Sequence, residues 1–440
     1  MAKEKKDNSA GKTLHVETKD HELEGTVVNT QGKEITLKLP SGYNVLVNQD
    51  DILSKKILGQ AKNNGKIIAK KIPEKNGLPK ICILQVGGTI ASRVDYKTGA
   101  VKVDFEPSEL LHMFPELGEI ANFDATAIAR VFSEDMRFAH YKKIALAIKK
   151  QAESKNPPKG IIVAHGTDTM HYTSAALAFM LENPPFPVIL VGAQRSTDRG
   201  SSDTATNLIS AAHFIAKTGY KGVGICMHET PDDTSCVILP PAKTRKMHSS
   251  RRDSFRAINA TPIARVNPQT GEVTMISAPQ KNQGEFAVKP KMEEKIGLLK
   301  SHPNLDWREI DFYRKNKYKG LVIEGTGMGH IPIGVEDKET QPNKKNLAAL
   351  KKLTKSGCIV AMTTQCIFGE VSSHVYSTGV ELQEAGIVSA KDMLTETAFI
   401  KLSWLLGNYK PKEARELFTQ NLRGEINDRH QMNYFPPKDL

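Results

Sequence analysis

The residues with the clearest chemical potential are Thr167 and Asp168, a hydroxyl beside a carboxylate in the run His165-Gly166-Thr167-Asp168-Thr169. A threonine hydroxyl becomes a useful nucleophile at neutral pH only when a base takes its proton. Asp168, adjacent in sequence, is not sufficient unaided. A lysine held between the two would keep them in register and relay the proton. Lys243 and Lys246, in Lys243-Thr244-Arg245-Lys246-Met247-His248, come after the strand-like Val237-Ile238-Leu239 and are both candidates. Spacing alone does not separate them. Gly87-Gly88-Thr89 offers a second threonine behind a glycine pair, which lets the backbone turn sharply and approach a ligand closely. Thr326, in the glycine-rich Gly325-Thr326-Gly327-Met328-Gly329-His330, is a third threonine at a strand end.

These residues need elements to position them. Ile161-Ile162-Val163-Ala164 is a short branched apolar run, the signature of a parallel strand buried on both faces, and a helical pattern comes next from His171 to Leu181. Thr167 and Asp168 therefore belong at the carboxyl end of a strand, where loops converge and helix N-termini present unpaired N–H groups. The same rhythm recurs. Strands are expected at 80–86, 160–164, 187–191 and 222–227, with helices at 141–151, 171–181 and 203–216 between them. This βαβα order predicts a doubly wound parallel sheet with helices on both faces. A hairpin is expected at 262–277. After it comes a second, smaller α/β unit, with strands at 318–324 and 358–363 and helices at 345–354, 390–406 and 411–422. Ahead of all this, Ile35, Leu37 and Leu39, then Tyr43, Val45 and Val47, alternate with polar residues between glycine-containing turns. That pattern predicts a small antiparallel β-barrel or meander. The expected organisation is a polar disordered tail at 1–12, the barrel at 13–73, a Pro/Gly linker at 74–79, the main α/β unit at 80–300 and the smaller one with terminal helices at 301–440.

Composition excludes several classes. The chain has 440 residues, is 39% hydrophobic, and contains no run near the ~18 apolar residues of a membrane span. Its N-terminus lacks the apolar stretch of a secretory signal. Five scattered cysteines, mostly in apolar runs and without a CxxC pair, fit reduced buried thiols in the cytoplasm rather than a catalytic thiolate. There is no GxxxxGK[ST] and no GxGxxG with its following acid, so nucleotide binding ranks low. His165 and His171 lack zinc spacing, and no metal site is expected. The net charge of +12, with 49 acidic residues interspersed, permits a polyanionic partner without requiring one. Arg245, Arg251 and Arg252 form a basic run that reads equally as solvated face or as partner contact.

Gln85-Val86-Gly87-Gly88-Thr89-Ile90-Ala91 together with His165-Gly166-Thr167-Asp168-Thr169 resembles the two threonine signatures of the bacterial-type L-asparaginase/glutaminase family. Lys246-Met247-His248 with Asp253-Ser254-Phe255 resembles that family's lysine segment, and the resemblance selects Lys246 over Lys243. It implies a catalytic group of Thr89, Thr167, Asp168 and Lys246, with either threonine as the nucleophile. Tyr96 matches the loop tyrosine that assists the first threonine. Ser133 and Glu134, in Ser133-Glu134-Asp135-Met136, match the segment that holds the amino-acid part of the substrate, and N–H groups near Gly88, Thr89 and Thr167 would form the oxyanion hole. His248 reads as a structural hydrogen-bonder.

A β-barrel ahead of such a domain, with the run from Arg245 to Asn259 and Met227-His228-Glu229-Thr230-Pro231-Asp232-Asp233, is similar to the glutaminase subunits of archaeal tRNA-dependent amidotransferases. That resemblance implies L-glutamine as substrate and ammonia handed to a partner, the amidotransferase E subunit (GatE), which amidates the glutamate on misacylated tRNA(Gln). It places ATP and Mg at the partner, no cofactor in this chain, tRNA bound mainly through the partner, and a homodimer within a heterotetramer. The alternative is a stand-alone cytoplasmic L-asparaginase.

Overall fold

The structure, a computed structural model, describes residues 11–19, 21–39, 44–60, 74–88, 90, 92–94, 101–103, 113–197, 202–278, 284–429, 431 and 434–435. The expected tail at 1–12 therefore falls almost wholly outside the described residues, as do 61–73 at the end of the expected barrel.

The chain begins with five antiparallel strands, β1 (Lys12–Thr18), β2 (Glu22–Gln31), β3 (Glu34–Lys38), β4 (Asn44–Asn48) and β5 (Ile52–Gln60). They are ordered β4-β3-β2-β1-β5. Alternation puts Leu14, Val16, Val27, Ile35, Leu37 and Val47 on one face, where they form a small core. Among the described residues β4 and β5 are the two edges of this sheet, and the end of the expected barrel, 61–73, lies outside them. The segment at 74–79 is fastened to the main α/β unit. Lys75 N–H donates to Asn122 Oδ1 at 2.8 Å, and Asn122 Nδ2 returns a bond to the Lys75 carbonyl.

From Lys80 strand and helix alternate. The order is β6 (Lys80–Gly87), a ribbon of β7 (Ser92–Val94) with β8 (Val101–Val103), β9 (Asn122–Val131), α1 (Phe138–Ala152), β10 (Gly160–Ala164) and α2 (Met170–Met180). Then come β11 (Leu181–Glu182), β12 (Pro187–Val191), α3 (Thr204–Lys217), β13 (Gly222–His228) and β14 (Cys236–Leu239). A separate hairpin, β15 (Thr244–Lys246) with β16 (Phe255–Ala257), precedes β17 (Ala264–Val266), β18 (Val273–Met275) and β19 (Ala287–Val288), which pairs with β11. The main sheet runs β18-β17-β14-β13-β12-β10-β6-β9. Its strands from β13 to β9 are parallel, and β14, β17 and β18 extend it antiparallel. The doubly wound reading holds for the parallel part. Along β6, Cys82, Leu84 and Val86 enter one core and Ile81 and Ile83 the opposite one, because the strand is covered on both faces.

The second unit is a parallel sheet, β20 (Ile296–Lys300), β21 (Gly320–Gly325), β22 (Ile359–Thr364) and β23 (Val388–Ser389). Its helices are α4 (Trp307–Lys315), α5 (Lys344–Lys355), α6 (Ser377–Glu384), α7 (Thr395–Asn408) and α8 (Pro411–Phe418). One face of this sheet shares the larger core: Val322, Ala361 and Trp404 join Leu177 and Phe179 of α2. Trp404 stacks on Phe179 with centroids 5.5 Å apart. Helix α7 thus lies against α2, the helix just after Thr167 and Asp168. It begins at Thr395, not at the expected Ala390, because 390–394 form a turn that faces the first unit.

Candidate active site

The turn after β10 is built from inside. His165 N–H extends the sheet ladder to the Val191 carbonyl at 2.9 Å. Its imidazole Nδ1 donates to the Gly166 carbonyl at 2.6 Å, which leaves Nε2 to accept from Thr173 Oγ1 at 2.8 Å. Burial drives the His165 pKa down to about 4, so the ring is neutral and that tautomer is fixed by its two partners.

Two glycines bring the neighbouring loop into contact. Gly88 has φ +76°, and a Cβ built there would lie 2.1 Å from Gly166 Cα. A Cβ on Gly166 would lie 2.8 Å from Ser133 Cβ and Oγ. Only residues without side chains allow the loops after β6 and β10 and the turn after β9 to meet at this spacing. Ser133 is buried at the meeting point. Its Oγ accepts from Asp168 N–H at 3.2 Å, and its carbonyl accepts from Thr169 Oγ1 at 2.6 Å. Glu134, next in sequence, is exposed.

Lys246 arrives from β15. Its Nζ donates to Thr167 Oγ1 at 2.9 Å and to Asp168 Oδ1 at 2.7 Å. The lysine side chain is 10% exposed and the Asp168 side chain 61%, so the ammonium sits inside while the carboxylate forms an open wall. An ammonium has donors and no acceptor, so Thr167 Oγ1 is the acceptor in this state. For the amine to take a hydroxyl proton it must first release one, and the Asp168 carboxylate is within reach to receive it.

The structure thus brings together Gly88, Ser133, Thr167, Asp168 and Lys246. Thr89 and Tyr96 lie outside the described residues. One expectation needs correcting. The Gly88 N–H is engaged by the Val131 carbonyl at 3.1 Å, so it is not an available oxyanion donor, whereas the Thr167 N–H makes no hydrogen bond among the described residues.

The remaining candidates have other partners. Lys243 enters a buried pair with Asp392. Thr326 is bonded within its own turn, to the His330 carbonyl. His248 Nδ1 caps a turn, accepting from the N–H groups of Ser250 and Arg251 at 3.1 Å each. The basic run is tied to acids: Arg245 to Glu396 at 3.1 Å, Arg251 to Asp253 at 2.8 Å and Arg252 to Asp233 at 3.0 Å.

Four cysteines are buried and Cys366 is exposed. Among the buried thiols, Cys236 alone has its pKa lowered, and it is still inaccessible. Cys236 is paired across the strands with His228. Burial raises its pKa, but the neighbouring Cys226 and His228 outweigh burial and hold it below the ordinary thiol value. With no solvent exposure at Cys236, substrate cannot reach it. No metal-binding cluster of His, Cys, Asp or Glu occurs among the described residues, and no described helix is long and apolar enough to cross a membrane.

Sequence reasoning weighed His171 only as a metal ligand and passed over Glu396 entirely. His171, in the first turn of α2, is pushed down to about 3 by burial, with the cations of Arg245 and Lys246 adding to it. Its Nε2 lies 4.0 Å from Glu396 Oε1. Neither residue is part of a spacing motif, and the pairing spans two units.

Comparison with known proteins agrees with this geometry. Residues 80–281 match the family model "Asparaginase, N-terminal", and residues 295–418 match "Glutaminase/Asparaginase C-terminal domain". The chain is 43% identical over 424 residues to the glutamyl-tRNA(Gln) amidotransferase D subunit of Methanococcus maripaludis, covering 95% of this chain and 98% of that one. It is 43% identical over 399 residues to the protein of the same name from Thermococcus kodakarensis, covering 90% and 87%. Among solved structures it superposes on the thermostable L-asparaginase from Thermococcus kodakarensis with a TM-score of 0.70 and 29% identity, over 80% of this chain and all of that one. The sequence signatures, the two α/β units and the near full-length matches agree: the chain belongs to the asparaginase/glutaminase family and, within it, to the group of glutamyl-tRNA(Gln) amidotransferase D subunits.

Proposed function

We propose that this chain hydrolyses L-glutamine to glutamate and ammonia, as the ammonia-supplying subunit of a tRNA-dependent amidotransferase. The observation that carries the reading is the Lys246 ammonium bridging Thr167 Oγ1 and Asp168 Oδ1 at the end of β10. A threonine oxygen, of Thr167 or Thr89, attacks the side-chain carboxamide carbon. The hydroxyl proton passes through the lysine to the amide nitrogen, which leaves as ammonia, and an ester remains on the threonine. Water then attacks the ester and releases glutamate, with the same groups returning the proton to the hydroxyl. Ser133 and Glu134 hold the amino-acid end, and the Thr167 N–H is available to the developing oxyanion.

The relatives of the same length carry the reading from hydrolase to complex, since each is named as a subunit of an enzyme acting on glutamyl-tRNA(Gln). The E subunit, using ATP and Mg, would consume the ammonia to amidate glutamate on tRNA(Gln), with this chain a homodimer in a heterotetramer. The second reading, a stand-alone L-asparaginase, is favoured by the solved L-asparaginase it resembles.

Co-purification with the partner, followed by hydrolysis assays of glutamine and asparagine with and without charged tRNA, decides between them. Glutamine turnover stimulated by partner and tRNA is expected. Asparagine turnover that is faster and indifferent to both would select the asparaginase. Digestion of acyl-enzyme trapped from glutamine identifies which threonine carries the ester.

A further inference from the structure

The strand that delivers Lys246 is poorly held by its own sheet. β15 has three residues and, among the described residues, pairs only with β16, apart from the eight-stranded sheet. An isolated two-stranded ribbon is marginal in water. Lysine is also a flexible stem carrying a point charge, so its placement depends on what fixes the backbone beneath it.

What fixes it comes from the second unit. Lys243, just before β15, and Arg245, on it, meet acids, while Lys246, next to Arg245 and so on the other face of the strand, meets Thr167. Lys243 is paired with the Asp392 carboxylate and also donates to the Asp392 carbonyl at 2.9 Å. Both side chains are essentially inaccessible, at 1% and 0%. The same carboxylate accepts from Asn427, through the backbone N–H at 3.0 Å and Nδ2 at 2.8 Å. Arg245 Nε lies 3.1 Å from Glu396 Oε1, in the first turn of α7. Thr397 Oγ1 adds a bond to the Ala242 carbonyl at 2.9 Å. Glu396 is 9% exposed at its side chain, and its Oε2 has no hydrogen-bond partner among the described residues. Burying a carboxylate with one oxygen unsatisfied opposes folding, so stability alone does not account for the residue.

We propose that Lys243–Asp392 and Arg245–Glu396 are positioning pairs for the reaction: they lock β15 against the start of α7 so that Lys246 Nζ stays within hydrogen-bond reach of both Thr167 and Asp168. The proposal rests on the catalytic reading of Lys246 under Proposed function. Four charged residues outside the proposed substrate-binding set then set the rate, and the second unit supplies half of them. Displacement of a reacting group by about 1 Å is enough to lower a rate roughly a hundredfold.

The test uses the full chain in complex with its partner, compared on kcat and KM for glutamine. Arg245→Met should lower kcat by about tenfold or more with KM nearly unchanged, since the substrate site is untouched. Arg245→Lys, which keeps the charge, should recover much of that loss. Because Asp392→Asn alone strands a buried lysine and risks unfolding, the second pair is tested as Lys243→Met/Asp392→Asn, which removes both charges. It should retain a cooperative thermal transition and still lose kcat. Wild-type kcat in both Arg245→Met and the double variant overturns the proposal. So does an Arg245→Lys no better than Arg245→Met, or a kcat that falls only in proportion to the folded fraction. Lys246→Met separates the two readings. If it is inactive while the pair variants are normal, the clamp is wrong and the catalytic lysine stands; if it is fully active, the catalytic reading falls and the clamp with it.

Discussion

Gly88 and Gly166 approach so closely that a methyl group on the first would sit 2.1 Å from the α-carbon of the second. The loops after β6 and β10 are therefore packed backbone against backbone, and the position of Thr167 is set by a contact that tolerates no side chain. Gly88→Ala should destabilise the protein by at least ~3 kcal/mol, combining a forbidden φ with overpacking, and should abolish activity in whatever fraction folds. Gly32, in the hairpin between β2 and β3, also has a positive φ, at +61°, but nothing lies within 4 Å of its built Cβ. Gly32→Ala should cost only about 1 kcal/mol. Urea titration of both variants checks the contrast. Similar losses would mean that the approach of the two loops is not what Gly88 is needed for.

Thr167→Ala and Lys246→Met should each reduce glutamine-dependent amidation by roughly a hundredfold to ten-thousandfold while leaving amidation driven by free ammonium intact. The paired assay separates chemistry from architecture. If both activities disappear together, the residues support folding or assembly instead.

Much of this was legible in advance for definite reasons. β6, β10, β12 and β13 are continuous apolar runs because both faces are covered, and α2 and α3 come after them with helical spacing. Thr167, Asp168 and Lys246 were reachable because their loops carry recognisable signatures. β9 escaped notice because it is an edge strand with a half-exposed pattern, and Asn122–Val131 mixes alanines and polar residues without clean period-two alternation. β20 and α4 were likewise unmarked. Lys243 and Lys246 were inseparable by spacing because what distinguishes them, Asp392 for one and Asp168 for the other, is contributed by distant segments. The N-terminal strands were legible as strands, but alternation carries no information on whether β4 and β5 close.

Lys401 and Glu425 form an ion pair with both side chains fully buried. Lys401 also donates to the Phe418 carbonyl at 2.8 Å. Glu425→Gln should leave an uncompensated buried ammonium and cost about 3–5 kcal/mol. The companion Lys401→Met/Glu425→Gln should recover much of that loss. Chemical denaturation of the two variants measures the difference; equal stabilities would show that the remaining carbonyl bonds suffice for the lysine.

Acid should weaken the fold before most carboxylates titrate. His165 and His171 are held at about 4 and about 3 by burial, against an ordinary value near 6.5. Above that value both states are neutral and stability is unaffected. As pH falls below it, the unfolded chain takes up protons that the folded chain refuses, so stability is lost progressively. Between pH 6.5 and 5 the two together should account for roughly 3 kcal/mol. His228 works in the opposite sense, since its burial is outweighed by Cys236 and Asp233 and its pKa is raised. The clean comparison is therefore wild type against His171→Gln. The variant should lose about half of the roughly 3 kcal/mol that His165 and His171 contribute across this interval, and an unchanged pH slope would refute the assignment.

The pairing of Lys243 with Asp392 has a consequence for the order in which the protein is made. The two residues are separated by 149 positions, so the main sheet and its helices are translated long before the carboxylate that neutralises the lysine exists. Until then Lys243 has to remain in water, and β15 cannot settle. The last strand of the sheet that frames Thr167 ends at Met275, while Asp392 and Glu396, the proposed anchors of the strand bearing Lys246, come more than a hundred residues later. On the proposed catalytic reading of Lys246, competence would thereby be deferred until Asp392 has been synthesised.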